Sequence, residues 1–245
     1  MLSMAFQKAF HPVQHERFRH RSEEMLRIEA LSDAVFAFSV SLLVASLEVP
    51  QTFEELKIIL FGAIPFFATV SVIFLLWYQQ YIFFRHYALN DLQTILLNLI
   101  YLAVILFYVY PLKFLFSLLL ASWTGIDLFP EASAKDLPIL LPDDFSSLVI
   151  IFSTGYLLVW LLLYFMHKRA LKFAYKLELN KYETEYTYKE IRGALWNCLI
   201  GVISIIFAAM GFALLSGITF LFIPLLLIVN EKIFIKNLAR RKVYR

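Results

Sequence analysis

Residues 92–119 read LQTILLNLIYLAVILFYVYPLKFLFSLL, and Lys113 is the single formal charge among these 28 positions. A helix rises about 1.5 Å per residue, so the run exceeds the roughly 30 Å hydrocarbon core of a bilayer. Water is absent there, so the backbone must satisfy itself, as a helix or as a closed barrel. The strict in–out alternation of a barrel strand is missing. The run therefore predicts a transmembrane helix. Working outward, five more apolar runs predict spans at 28–49, 56–78, 145–166, 194–215 and 218–235. The expected fold class is an all-α membrane protein with six transmembrane helices.

Composition agrees with this reading. The 245 residues are 61% apolar and 17% charged, with a mean hydropathy of +0.72 and 25 Phe. A soluble domain is nearer half apolar and a quarter charged. Pro65, Pro111 and Pro224 fall inside spans, where neighbouring helices re-satisfy the freed carbonyls. Ser216-Gly217 reads as the tight break between the last two spans. No internal repeat is visible, so residues 27–245 read as one six-span domain preceded by a polar arm, residues 1–26. That arm has no apolar h-region, so the first span is expected to act as its own insertion signal. The lone cysteine, Cys198, rules out an intrachain disulfide and reads as a small packing residue.

The charges orient the spans. With the N-terminus inside, one face of the membrane collects the arm (Lys8, Arg17, Arg19, Arg21, Arg27), the second turn (Arg85), the loop after the fourth span (from Lys168 to Arg192) and the tail (from Lys232 to Arg245). That is 19 of the 22 Lys and Arg; Lys57, Lys113 and Lys135 are the remainder. The opposite loops are acidic, with Glu48, Glu54, Glu55, Asp127, Glu131, Asp136, Asp143 and Asp144. The positive-inside rule then places both termini in the cytoplasm. The basic surface after the fourth span reads first as topology-setting charge and second as a surface for anionic lipid.

The first span differs from the rest. It holds Ala30, Ala34, Ala37 and Ala45, with Ser32, Ser39, Ser41 and Ser46, where the other spans are dense in Leu, Ile and Phe. Small residues let membrane helices approach closely, so this helix is expected to be central and enclosed by protein. Ionisable groups at membrane depth need a partner or a wet cavity. Asp33 is therefore expected to bond a neighbouring helix, and Arg27 likewise, while Glu29 reads equally as a marker of the inner interface. Ala34, Phe38, Ser41, Ala45 and Glu48 form one helical stripe; Val35, Ser39, Leu42, Ser46 and Val49 form a second. If four copies ring an axis, the first stripe gives an apolar constriction at Phe38, a hydroxyl ring at Ser41, a narrow wall at Ala45 and an acidic outer mouth at Glu48. Leu42, beside Ser41, is counted with the lining. An apolar constriction gates by dewetting, and an acidic ring concentrates cations.

These residues resemble the transmembrane protein 175 potassium channels, in their prokaryotic single-repeat branch. That family's first span shows Arg, three residues, Phe-Ser-Asp, Gly or Ala, Val-Phe-Ala, then a Leu-Leu-Val run ending near Val-Pro. This chain has Arg27, Leu31-Ser32-Asp33-Ala34-Val35-Phe36-Ala37, Leu42-Leu43-Val44 and Val49-Pro50, with Leu31 in place of the usual Phe. Further on the family shows Trp, two residues, His-His, then Asp, Leu-Asn-Leu and Pro. Here Trp77, Gln80-Tyr81, Asp91, Leu97-Asn98-Leu99 and Pro111 stand at those places, so proton sensing by the His pair is not implied. The resemblance implies a homotetramer in which the first helix lines a potassium-permeable cation pathway, constricted at Phe38 and without a carbonyl filter. It implies that Arg27, Leu31, Ser32 and Asp33 carry structure rather than conduction. It also implies potassium ions and the lipid bilayer as partners, and the plasma (inner) membrane of a bacterium as location.

The rival readings are a secondary transporter or proton-coupled exporter using Asp33, a membrane enzyme acting on lipid, and an accessory subunit. A transporter predicts paired broken helices, and the Gly and Pro interruptions do not pair between halves. An enzyme needs clustered acid, base or metal-ligating groups. His11, His15 and His20 have three and then four residues between them, but with only Glu16 nearby and no Cys. No enzyme activity, cofactor or nucleic acid is expected, and no metal beyond permeating potassium. No Gly-rich phosphate loop occurs, and no Thr-Val-Gly-Tyr-Gly run.

Overall fold

The computed structural model describes residues 18–22, 24–45, 49–129 and 144–243. In chain order the elements are α1 (Arg27–Ala45), α2 (Phe53–Tyr87), α3 (Leu92–Thr124), α4 (Asp144–Lys172), α5 (Lys181–Ala209), a short α6 (Ala213–Thr219), a 3-10 turn (Phe220–Phe222) and α7 (Ile223–Val243). Six stretches are long and apolar enough to cross a membrane, the sixth running through α6 and α7 (Ala213–Arg240). No strand occurs among the described residues. The sequence-expected outer mouth at Glu48, together with Ser46 and the acidic residues 131, 136 and 143, lies outside the described residues.

Local chemistry explains the helix limits. Thr52 caps α2: its hydroxyl accepts from Glu55 N at 3.2 Å. The Glu55 carboxylate reaches back to the Thr52 N–H, which completes a capping box. Asp91 caps α3, accepting from the N–H groups of Gln93 and Thr94. Asn180 and Glu183 form a reciprocal capping box at α5. The helix ends differ from those of the expected spans, two of them notably. α2 continues to Tyr87 rather than stopping near 78, and the last break is not at Ser216-Gly217. The chain turns at Met210–Phe212, where Gly211 adopts φ +83°. That region is open to glycine at little cost. Ser216 lies inside α6 because its hydroxyl is needed there: it donates to Ser204 O at 2.7 Å. Its Oγ also lies 2.6 Å from Ser204 Oγ, which lies 2.7 Å from Ser153 Oγ. The apparent turn signal is thus part of a hydroxyl seam joining α4, α5 and α6.

Packing follows chain order. α1 rests on α2 and α3, α3 on α4, and α4 most extensively on α5, which carries α6 and α7. Gly155 of α4 lets the Tyr108 ring of α3 lie against bare backbone; a Cβ there would collide with the ring.

α1 is fastened by a buried polar knot. The Ser32 hydroxyl donates to Ile28 O at 2.7 Å and accepts from Gln80 Nε2 at 2.7 Å and Asn98 Nδ2 at 3.0 Å. One donor and two lone pairs are all a hydroxyl has, so Ser32 is saturated. Gln80 Nε2 also donates to Asn98 Oδ1 at 3.0 Å, closing a triangle across α1, α2 and α3. All three side chains are buried. Beside the knot, Trp77 Nε1 donates to Asp33 Oδ1 at 2.7 Å, and Phe36 and Leu43 fill the apolar contact.

At the end of the bundle that carries Arg85, Arg169 and Lys232, here termed the basic end, residues 18–22 form a strap. Arg19 and Arg21 both pair with the fully buried Glu183 of α5, at 2.9 and 2.7 Å. Arg21 also donates to Leu177 O and His86 O, each at 3.0 Å, and Arg85 donates to Ser22 O at 2.6 Å. Phe18 stacks on His86 at 4.0 Å. Glu29 accepts from Leu26 N at 2.7 Å and from Ser22 Oγ at 3.2 Å. It therefore caps α1. Nearby, Arg169 Nε donates to Asp91 Oδ2 at 2.9 Å, tying α4 to the α3 cap. Burial alone would raise the Asp91 pKa. The hydrogen bonds from Arg169 and Thr94 outweigh it and bring the group from 3.8 down to about 2.

Three outcomes follow for protein in detergent. Asn98→Leu should lower unfolding stability by about 1–2 kcal/mol, because Ser32 and Gln80 each lose a buried partner. Glu183→Gln should cost about 3 kcal/mol or more, the scale of stranding partners of a buried ion pair. Both are read from denaturant or thermal unfolding, and an unchanged midpoint in either would remove that contact from the account. Asp91 binds its proton more weakly in the fold than in the open chain, so its contribution is complete above about pH 4 and lost as pH falls through about 2. Asp91→Asn should flatten the acid limb of the melting-temperature profile over that window.

Candidate functional site

α1 runs for 19 residues. At the helical rise that is about 28 Å, barely enough to cross a bilayer core. Its buried residues are Ile28, Glu29, Ser32, Phe36, Ser39 and Leu43. They form a helical stripe turned to α2 and α3. The opposite face is left open by the rest of the described residues. Ala30, Ala34, Ala37, Phe38, Ser41 and Ala45 are exposed on it, Phe38 to 55%. The two stripes read in the sequence thus separate. Ala34, Phe38, Ser41 and Ala45 look outward together, whereas Ser39 is fully buried and Val35 and Leu42 lie half-buried at the boundary. A helix expected to be enclosed by protein is, by the described residues of one chain, covered on one side only.

The open face is chemically plain. Its alanines carry only methyl groups, which leave the backbone close to the surface. Phe38 is its largest apolar group, flanked by Leu31 and Val44, both also exposed. Ser41 donates its hydroxyl proton to Ala37 O at 3.0 Å. Its lone pairs therefore remain for a partner beyond the helix. That oxygen can accept a hydrogen bond or take part in a cation's coordination shell.

The signature residues divide by role. Ser32 belongs to the knot, and Asp33 is exposed but held by Trp77. Arg27 and Leu31 are both exposed; Arg27 begins α1 and Leu31 lies one turn on. The knot's other members were visible in the sequence only as family pattern. Asn98 nevertheless gave a physical signal, as an uncharged polar residue inside the 92–119 run, whereas Gln80 lies past the expected end of the second span and only the continuation of α2 to Tyr87 brings it into the helix. Gln80 serves Ser32 and Asn98 as donor. Among the described residues no group of three His, Cys, Asp or Glu could hold a metal ion.

A family model described as the endosomal/lysosomal potassium channel TMEM175 matches residues 27–108, which cover α1, α2 and the first half of α3. A protein of Marivirga tractuosa, described as a potassium channel, is 37% identical over 221 residues, covering 87% of this chain and 90% of its own. A crystal structure of a variant of the potassium channel MtTMEM175, in complex with a Nanobody-MBP fusion protein, superposes with a TM-score of 0.79 at 35% identity. It covers 91% of this chain and 98% of that one. The match runs through the knot, the open face and both halves of the bundle, and the chain belongs to the TMEM175 potassium channel family.

Proposed function

We propose that four copies of this chain assemble around their α1 helices and conduct potassium passively along the axis. The observation that carries the reading is the open α1 face: small residues, one large apolar ring and one outward hydroxyl, on a transmembrane helix whose other side is locked. A face like this, shared by copies, buries backbone-close surfaces and leaves a narrow lumen. Phe38 is the apolar constriction, Ala34 lies on its basic-end side, and Ser41, Leu42 and Ala45 line the far side, with Glu48 at the outer mouth. Ser41 is the first group past the constriction with a lone pair for a dehydrating cation. No backbone-carbonyl filter is involved. Ser32 and Asp33 hold the helix in place through the knot and Trp77, whereas Arg27 and Leu31 are exposed on the subunit.

The chain then works as a channel rather than an enzyme and needs no cofactor. The basic end faces the cytoplasm, as the positive-inside rule directs, and the membrane is the plasma membrane of a bacterium. The relatives described as potassium channels support the choice of ion.

The test is potassium flux into liposomes holding the purified protein, beside Phe38→Ala and Asp33→Asn. Wild type should pass potassium faster than sodium, and Phe38→Ala should raise flux severalfold or blunt the preference. If wild type and Phe38→Ala are both silent, the constriction is misplaced. A pH-coupled flux abolished by Asp33→Asn would instead favour an exporter. Ala45→Cys in a Cys198→Ser background should give cross-linked species on oxidation; its failure to do so would remove α1 from the contact between copies.

A further inference from the structure

α4 runs for 29 residues. That is about 43 Å of helix, against a bilayer core of roughly 30 Å. Its apolar run ends near Met166, so its last turns leave the membrane at the basic end. Tyr164, Lys168 and Lys172 follow one another at four-residue spacing on one face there, and Lys176 continues the same register in the turn beyond. The three lysines are exposed, and so is Tyr175, to 98%. Like charges four apart on a helix repel, so this ladder lacks its counter-charge.

Several basic side chains around it already have partners. Arg19 and Arg21 are held by Glu183, Arg169 by Asp91, Lys189 by Glu231 and Arg192 by Asn230. Among the described residues, none of Lys168, Lys172 and Lys176 lies within ion-pair distance of a carboxylate. Lys168 Nζ sits 3.3 Å from Tyr164 OH, and Lys176 Nζ sits 6.0 Å from the centre of the Phe173 ring. Neither contact cancels charge. Tyr164 lies one turn deeper, at the depth where membrane proteins place tyrosine among headgroups.

We propose that this face is a binding site for the phosphate of an anionic phospholipid in the leaflet at the basic end. The lysines meet the headgroup, Tyr164 marks its depth, and the exposed Phe165 beside it contacts the acyl chain. The site is independent of the α1 reading, since it uses no residue of that helix.

The experiment compares melting temperatures of the full chain in mixed micelles containing phosphatidylglycerol or phosphatidylcholine. Phosphatidylglycerol should raise the melting temperature by several degrees over phosphatidylcholine, and high salt should shrink the difference. The triple variant Lys168→Gln, Lys172→Gln, Lys176→Gln should match wild type in phosphatidylcholine and lose the rise. The corresponding triple Arg variant should keep it. Lys232→Gln, Lys236→Gln, Arg240→Gln, on the basic stripe of α7, should also keep it. A rise that survives in the triple Gln variant, or one lost instead in the α7 variant, overturns the site. An equal rise with inorganic phosphate alone shows a site for free phosphate and overturns the lipid assignment.

Discussion

The Ser32 hydroxyl is the point on which the α1 half of the molecule turns. In hydrocarbon, a polar group that finds no protein partner costs more than one facing water. Ser32, Gln80 and Asn98 lie on three different helices, and each is satisfied only when the other two are in register. Apolar packing between these helices tolerates small slides; a closed hydrogen-bond triangle does not. α1 therefore has one azimuth, and its alanine face has one direction in which to look. The contact between Trp77 and Asp33 sets the same azimuth from a neighbouring position.

The rest of the bundle divides the work. α4, α5 and α6 are joined by hydroxyls in the apolar interior, through Ser153, Ser204 and Ser216. At the basic end the ties are ionic, where Glu183 and Asp91 gather Arg19, Arg21 and Arg169. Neutral hydrogen bonds inside and charged ones at the rim follow from the dielectric, because a charge is tolerated only where water or a counter-ion is near. The open α1 face has neither kind of tie to the rest of the described residues.

Much of this was legible in the sequence. Six apolar runs correspond to six spans, and the alanines and serines of residues 27–45 marked α1 as unlike the others. What failed had physical causes. Ser216-Gly217 resembles a turn, but a buried serine in a membrane helix serves through its hydroxyl, and Gly211 makes the turn instead. The capping role of Glu29 was not legible because its partner, the Leu26 N–H, is backbone and leaves no trace in composition. The strap is invisible in sequence, since its pairing of Arg19 with Glu183 joins residues 164 positions apart. The two stripes of α1 can be drawn from helical spacing, but only packing reveals which one the subunit covers.

That separation has a consequence in time. Chains are made from the N-terminus, so α1 enters the membrane long before Glu183 exists. The knot can close once α3 is made, but the strap waits until α5 begins. Until then the start of α1 is tethered on one side only, with two arginines lacking their carboxylate. The strap is thus a late clasp, fastened only on a chain whose first four helices have already been inserted. A chain that stalls or misinserts before α5 leaves the strap tied to α2 alone, with Arg19 and Arg21 still waiting for Glu183.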